Sequence, residues 1–160
     1  ITLSPELTTK QIQDVISRTS IPYESIGYGY LPLMVMKHCP MSLAKGCKGD
    51  SDCSSCNFSR GYGLKDRKNM VFPLRRENGT TTIYNSVPLV AVEDLNTIFD
   101  QGVDMIRLDF TIEDKYISMI QDAYFDRLCG EMSKNDLEQV LDHFRDREGF
   151  TKGHYFRGVL

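Results

Sequence analysis

Four cysteines lie close together in the first half of the chain, with the spacing Cys39-x7-Cys47-x5-Cys53-x2-Cys56. The closing Cys-x-x-Cys lets two thiolates reach one ion from a tight turn, and thiolates are soft ligands that select zinc or an iron–sulfur cluster. Several glycines in the same stretch free the backbone to wrap around such a centre. We therefore predict that Cys39, Cys47, Cys53 and Cys56 hold a metal centre.

The same four cysteines have other interpretations. A Cys-x-x-Cys pair also occurs as a redox dithiol or a disulfide, but the redox motif normally opens a helix after a strand, and this one lies in a predicted loop. Spacing does not separate zinc from iron–sulfur, and His38 could replace one cysteine in a zinc site. Basic side chains at Lys45, Lys48 and Arg60 would offset the negative charge of four thiolates.

Composition bounds the class of protein. With 160 residues, 41% apolar and 26% charged, the chain suits one folded domain and not a disordered or low-complexity segment. No apolar run approaches the ~18–20 residues that span a bilayer, and the N-terminus lacks a signal-peptide pattern. Clustered cysteines favour a reducing compartment over a disulfide framework. We expect a cytoplasmic protein with no membrane segment, and the start at Ile1 indicates a fragment of a longer polypeptide.

The pattern of apolar residues predicts alternating strands and helices. The first helix is predicted from Ser4, as N-cap, to about Arg18, and Asn78-Gly79 predicts a hairpin between strands 70–77 and 80–86. A second N-cap is predicted at Ser133, three residues before Asp136. The remaining predictions are strands over 24–30 and 103–110, an apolar run over 31–36, a loop over 39–63, and helices over 92–101, 113–129 and from 133 onward.

This alternation predicts an α/β fold with a largely parallel sheet. We expect a single domain in which residues 1–37 and 88–160 form βα units. Residues 38–87 would then form an insertion that contains a cysteine-rich loop and a β-hairpin.

Three further residues are candidate catalytic groups. Arg107 and Asp109 alternate with apolar neighbours and share one face of a predicted strand end, where barrel enzymes handle substrates. A simple ion pair made by Arg107 or Asp109 explains them equally well. His154 follows a glycine in Thr151-Lys152-Gly153-His154, which indicates a loop, although an imidazole bonded to the backbone is the plainer interpretation.

A group of basic residues surrounds the predicted hairpin, interleaved with the aromatic residues Phe58, Tyr62 and Phe72. Basic side chains contact phosphates and aromatic rings stack on exposed bases, so RNA is a candidate partner. A charged sheet edge that discourages strand pairing is the alternative. The basic residues are Arg60, Lys65, Arg67, Lys68, Arg75 and Arg76, against the single acid Asp66.

Short segments spread along the whole chain resemble the C-terminal half of the collagenase-like peptidases, peptidase family U-thirty-two. They include Gly29-Tyr30-Leu31-Pro32-Leu33-Met34, His38-Cys39-Pro40, Cys53-x-x-Cys56, Ile83-Tyr84-Asn85-Ser86-x-Pro88-Leu89, Arg107-Leu108-Asp109 and Thr151-Lys152-Gly153-His154. No single segment is very specific, but their order is.

The resemblance implies a TIM-like barrel, of which this chain would be the last βα units, with the remainder of the barrel as its partner. It also implies a four-iron cluster bound by Cys39, Cys53 and Cys56, with zinc as the alternative. Characterised relatives resemble oxygen-independent hydroxylases of RNA pyrimidines or quinone precursors more than proteases. Relatives usually carry another cluster cysteine near the position of Gly79, so Cys47 is the candidate fourth ligand here.

Two other functions compete with the hydroxylase. A genuine peptidase has little support, because neither Gly-x-Ser-x-Gly nor His-Glu-x-x-His is present, which leaves a Cys–His pairing, for example Cys129 with His143, as the dyad. A zinc-stabilised binding module would use the cysteines structurally and the basic hairpin as its interface. In either case we expect the 160-residue chain alone to be inactive.

Overall fold

The protein, described here from a computed structural model, is a mixed α/β fold with two β-sheets. The structure describes residues 1–47, 61–146 and 149–156, with only the backbone of residues 43–45. The strands of this part of the chain do not close into a barrel. In chain order the elements are α1 (Thr9–Ile16), β1 (Glu24–Gly29), β2 (Pro32–Met36), α2 (Pro40–Lys45), β3 (Tyr62–Lys65), β4 (Val71–Glu77), β5 (Thr80–Tyr84), β6 (Leu89–Val90), α3 (Leu95–Asp100), β7 (Met105–Asp109), α4 (Ile117–Cys129) and α5 (Lys134–Arg145).

The chain divides into two compact units. The first unit comprises residues 1–29 and 87–160, and the second unit comprises residues 30–86. The predicted boundary after residue 37 therefore differs from the observed one. The reason is that β2 pairs with β5 of the hairpin and so belongs to the second unit.

The first unit contains a three-stranded sheet in the order β6-β1-β7. β1 and β7 are parallel, as predicted, and an isolated parallel bridge joins Thr2 to Glu24 at the start of β1. The largely parallel sheet that the sequence predicts is nevertheless mixed, because the two-residue strand β6 runs antiparallel to the end of β1. Strand β6 is too short to give a sequence pattern of its own.

The core of the first unit packs the sheet against α4 and α5. Tyr28 at its centre is 2% exposed and lies in ring contact with Phe110, Tyr124 and Phe144. Since β1 supplies Tyr28 while α4 and α5 supply Tyr124 and Phe144, this cluster fixes the sheet against its helices. Its buried members are Tyr28, Val90, Val92, Leu95, Ile120, Tyr124, Leu141 and Phe144.

Two capping predictions have different outcomes. The box from Ser133 to Asp136 is confirmed, with both reciprocal hydrogen bonds at the start of α5. The N-cap predicted at Ser4 is wrong, because residues 4–7 form a separate turn and α1 begins after Thr8. Thr8 and Gln11 make the capping box there, a Thr-x-x-Gln pattern of the same kind.

The second unit contains a four-stranded antiparallel sheet in the order β2-β5-β4-β3. The predicted hairpin turn is confirmed, with Asn78 at φ 50° and Gly79 at φ 74°, the left-handed conformations that such a turn requires. The predicted loop over 39–63 contains α2 and the first residues of β3. A six-residue helix and a four-residue strand are too short to show a period.

None of the described helices has the length and apolar character needed to cross a bilayer.

Candidate functional site

The carboxyl end of the parallel strand pair is the first candidate region. β1 and β7 end side by side, with Gly29 opposite Asp109. Asp109 is half-buried, and the chain runs from Gly29 directly into the second unit. Because ligands of α/β folds bind at the carboxyl ends of parallel strands, Asp109 lies where a catalytic carboxylate is expected.

Glycine is required at position 29 on two grounds. Its φ of +138° is a conformation that residues with a side chain rarely adopt. A Cβ at this position would also collide with the backbone carbonyl oxygen of Asp109. The close approach of the two strand ends therefore depends on the absence of a side chain at Gly29.

A β-bulge lies just before this strand end. Ile26 pairs with Arg107 and Tyr28 pairs with Leu108, so Gly27 is the extra residue in β1. A Cβ on Gly27 would collide with the side chain of Ile106. Glycine is therefore needed at the bulge as well.

Two buried tyrosines hold the bulge. Tyr124 donates from its hydroxyl to the Gly27 carbonyl at 2.6 Å and accepts from the Ala91 N–H at 3.0 Å. Tyr155 donates to the carbonyl of Ile26. Burial raises the pKa of both phenols, so both remain protonated donors. Sequence reasoning missed these residues, because a tyrosine in an apolar stripe does not reveal its hydroxyl partner.

Arg107 is bound to another strand and not to Asp109. Its Nη1 lies 3.4 Å from Oε1 of Glu24, and about half of its side chain is exposed. Arg107 and Asp109 share neither a hydrogen bond nor an ion pair in the described part of the chain. The ion-pair interpretation thus describes Arg107. The carboxylate of Asp109 is not engaged by Arg107 and remains a candidate for contact with a substrate.

The loop after β7 contributes a carboxylate that the sequence reasoning missed. Glu113 is half-buried, and its Oε2 accepts a hydrogen bond from the N–H of Ile112 at 3.1 Å. Its Oε1 is buried and has no hydrogen-bond partner among the described residues. Catalytic residues often lie in the loops that follow the parallel strands of α/β folds. The position of Glu113 just after a predicted strand was therefore the signal from which it could have been identified.

His154 lies half-buried in the segment after α5, without a hydrogen bond to another described residue. Its neighbour Lys152 has the defined contacts, since Nζ lies 2.8 Å from Oε2 of Glu93 and 3.0 Å from Oδ2 of Asp94. Burial lowers the pKa of Lys152, but the hydrogen bonds to Glu93 and Asp94 outweigh it and the net shift is upward. Thr151 pairs with Leu89 beside it. His154 makes no hydrogen bond or ion pair with Asp109 or Arg107 in the described part of the chain.

The cysteine residues are only partly described. Cys39 is the half-buried N-cap of α2, and its side chain makes no capping hydrogen bond. Cys47 is exposed at the other end of α2, where its N–H donates to the Ser42 carbonyl at 3.1 Å. Cys53 and Cys56 lie outside the described residues. Within the described ranges no three His, Cys, Asp or Glu side chains form a group that could hold a metal ion.

Cys39 and Cys47 are separated by the length of α2, about 9 Å for six residues. Any centre that both residues ligate must therefore span the helix, with the remaining ligands coming from outside the described residues. Cysteine thiolates are the right donors for iron–sulfur or zinc, and the donor chemistry of the loop therefore fits either one.

The proposed peptidase dyad is not assembled. Cys129 is exposed at the end of α4. The ring of His143 packs against Tyr116 at 4.8 Å and Phe144 at 5.7 Å between centroids. No contact joins Cys129 to His143 in the described structure.

The five basic residues of this set that the structure describes lie in two groups. Lys65, Arg67 and Lys68 are exposed at the β3–β4 turn, whereas Arg75 and Arg76 lie near the opposite end of β4. Strand β4 runs four residues from Val71, beside the turn, to Arg75, which is roughly 13 Å. Arg60 lies outside the described residues.

Comparison with known families decides the relationship. The family model described as Peptidase family U32 matches residues 1–159. The chain belongs to this family. A search of curated proteins and a search of solved structures each found no match.

Membership in Peptidase family U32 accounts for the ordered segments that the sequence shares with it. The family description names a peptidase, but the U32 chain described here shows no assembled peptidase dyad among its described residues. Gly79 sits at φ 74° in the β4–β5 turn, a conformation that disfavours the cysteine that the resemblance predicts near that position.

Proposed function

We propose that this U32 protein is the cysteine-bearing part of an iron–sulfur-dependent hydroxylase whose substrate is RNA, or alternatively a quinone precursor. The main support is the place in the chain at which the cysteine-bearing segment begins. The segment that carries Cys39, Cys47, Cys53 and Cys56 leaves the parallel sheet at Gly29, the strand end opposite Asp109. Barrel enzymes build their active sites from the segments that follow such strand ends.

The residues would act in named roles. Cys39, Cys53 and Cys56 would hold the cluster, with Cys47 as fourth ligand, and a bound cluster supplies one-electron redox chemistry. Asp109 would orient a substrate hydroxyl or amide or accept its proton. Arg107 would set the charge near the strand end through its pair with Glu24, and His154 would line the site once the rest of the protein is present.

The exposed edge of the first sheet supports the proposal that these βα units complete a larger barrel. β7 pairs only with β1 among the described strands, and Met105 on it is 46% exposed. Parallel strands are normally flanked and covered on both faces. The partner at this edge would be the remainder of the protein's own TIM-like barrel. A cytoplasmic location would keep the thiols reduced.

A zinc-stabilised binding module is the second candidate. It is favoured by the glycine at position 79, which leaves three cysteines of the family pattern plus Cys47. Four thiolates around one zinc ion make a closed structural site with no open position for chemistry. The basic residues of the second unit would then be its interface.

Anaerobic purification followed by elemental analysis and an absorption spectrum separates these functions. About four iron and four sulfide per chain, with broad absorbance at about 400 nm, are expected for the hydroxylase. Stoichiometric zinc without colour would overturn it in favour of the binding module. Protein that binds neither metal after reconstitution would contradict both.

A further inference from the structure

The two units of the chain carry charge of opposite sign. The second unit, residues 30–86, has nine basic and four acidic side chains, a net charge of +5. The first unit has ten basic and eighteen acidic side chains, a net charge of −8. The overall charge of −3 therefore conceals a cationic unit that attracts polyanions.

Among the described residues of that unit four basic side chains are exposed, and three of them lie at one tight turn, the fourth being Lys37. Lys65, Arg67 and Lys68 lie within four residues between β3 and β4, and all three side chains are exposed. None of them forms an ion pair with a described residue. The backbone closes this turn through the N–H of Asp66 to the carbonyl of Met70 at 3.0 Å.

The single acid in the turn has a structural role. Oδ1 of Asp66 accepts hydrogen bonds from the N–H groups of Lys68 at 2.8 Å and Met70 at 2.9 Å. Asn69 adopts the left-handed conformation at φ 66°, which completes the turn. Asp66 thus fixes the three cations on a rigid tip, and it is not paired with any of them.

The two arginines at the far end of β4 are differently placed. Arg75 lies 2.7 Å from Oε1 of Glu77. Arg76 donates to Oγ1 of Thr81 at 2.8 Å and to the Lys37 carbonyl at 3.1 Å. As neighbours in a strand they point to opposite faces of the sheet. Both arginines are therefore engaged by groups of the second unit. The turn cations Lys65, Arg67 and Lys68 are the ones placed to contact an external anion.

We propose that the Lys65–Lys68 turn is an RNA-backbone contact site in which Lys65, Arg67 and Lys68 bind successive phosphates of a single strand. This inference deepens the proposed function and rests on its RNA branch. Residues 65–69 are all polar, and the exposed apolar side chains Leu64 and Val71 lie behind the tip on the strands. A tip without apolar residues suits a solvated polyphosphate better than a membrane.

Fluorescence anisotropy with a labelled oligouridylate of about 12 nucleotides, titrated with the full chain at several salt concentrations, tests the site. The variant is Lys65→Ala/Arg67→Ala/Lys68→Ala. The matched control is Lys10→Ala/Lys115→Ala/Lys134→Ala, which removes the same charge from exposed positions of the first unit. The turn variant should lose about 100-fold in affinity at ~0.1 M salt, and the slope of log K against log salt should fall by about 2. The control should bind as the wild type does.

A second variant tests the same site without removing a cation. Asp66→Asn keeps an oxygen for the turn hydrogen bonds and removes one negative charge. It should tighten RNA binding about threefold, with circular dichroism unchanged.

The outcomes distinguish this inference from the proposed function. Equal loss of affinity in the turn and control variants would overturn the turn as a site and leave RNA as substrate. Tight binding of phosphatidylcholine–phosphatidylserine vesicles but not RNA would overturn the inference in favour of a membrane surface. Failure of the wild-type chain to bind RNA, with a normal iron–sulfur content, would overturn both this site and the RNA branch while the quinone branch stands.

Discussion

Gly29 and Asp109 lie opposite each other at the ends of two parallel strands, and the backbone of one leaves no room for a side chain on the other. The bulge at Gly27 produces this pairing, because in a regular ladder Gly27 would pair with Leu108 and Tyr28 would face Asp109. The strand end that carries the candidate carboxylate is therefore set by backbone features, two glycines and the two tyrosine hydroxyls that hold the bulge.

Gly29→Ala should destabilise the protein by about 2 kcal/mol or more, since alanine meets both an unfavourable φ and the Asp109 carbonyl. Urea unfolding followed by circular dichroism measures this. Gly79→Ala is the control, because its left-handed turn has open space around the added Cβ and should cost only about 1 kcal/mol. Equal losses in the two variants would show that contact with Asp109 contributes nothing.

Tyr124→Phe should cost about 1 kcal/mol, because it removes the hydroxyl bond to the buried Gly27 carbonyl, while the Ala91 N–H still donates to that carbonyl at 2.9 Å. The same unfolding experiment applies. Tyr23→Phe provides the comparison, since among the described residues the hydroxyl of this buried tyrosine bonds to the Thr19 hydroxyl alone, in a part-buried bond whose loss should cost less. A Tyr124→Phe protein as stable as the wild type would mean that the bulge does not need the hydroxyl.

The same two tyrosines predict alkaline sensitivity. Burial raises the pKa of Tyr124 and Tyr155 above the ordinary value near 10, so the unfolded state loses protons first as the pH rises. Their contribution to stability is fully present below about pH 10 and is lost progressively as the pH rises from there through the raised pKa values of the two phenols. The free energy of unfolding should therefore fall above about pH 10, and the double variant Tyr124→Phe/Tyr155→Phe should show a shallower fall. Identical slopes would contradict this assignment.

The sequence predicts the elements of this fold that have a period or a strong turn signal. The Asn78-Gly79 hairpin, the Ser133 capping box and the strand ending at Asp109 follow from local chemistry that the structure retains. Strand β6 and helix α2 were not predictable, since two and six residues give no period. The boundary at residue 30 depends on the pairing of β2 with β5, which is a long-range contact.

The candidate site was predictable to a smaller extent. The position of Asp109 at a strand end follows from alternation along the chain, but the engagement of Arg107 by Glu24 depends on the alignment of two strands. The clustering of basic residues in sequence suggested one surface. The strand between them separates the turn cations from Arg75 and Arg76 by a distance that composition does not reveal.

Lys152→Met should cost about 0.5 kcal/mol at low salt and less at high salt, because its bonds to Glu93 and Asp94 are partly exposed. Thermal unfolding at ~0.02 M and ~1 M salt measures the difference, given the screening lengths in that range. Lys134→Met removes an exposed lysine without an ion pair to a described residue and should change little at either salt. A Lys152→Met loss that does not depend on salt would point to packing against Phe156 instead.

The ligand set of the cysteine-rich segment can be determined with matched serine variants. Cys39→Ser should reduce bound iron several-fold after anaerobic reconstitution, because Cys39 is a predicted cluster ligand, whereas the exposed Cys129→Ser at the end of α4 should leave it unchanged. Iron and sulfide are measured per protein chain, with circular dichroism as the check on folding. Cys47→Ser decides the fourth position, since a loss equal to that of Cys39→Ser assigns Cys47 as a ligand across the ~9 Å of α2. Unchanged iron in Cys47→Ser would remove Cys47 from the set, and equal loss in Cys129→Ser would show that the thiols bind iron without a specific site.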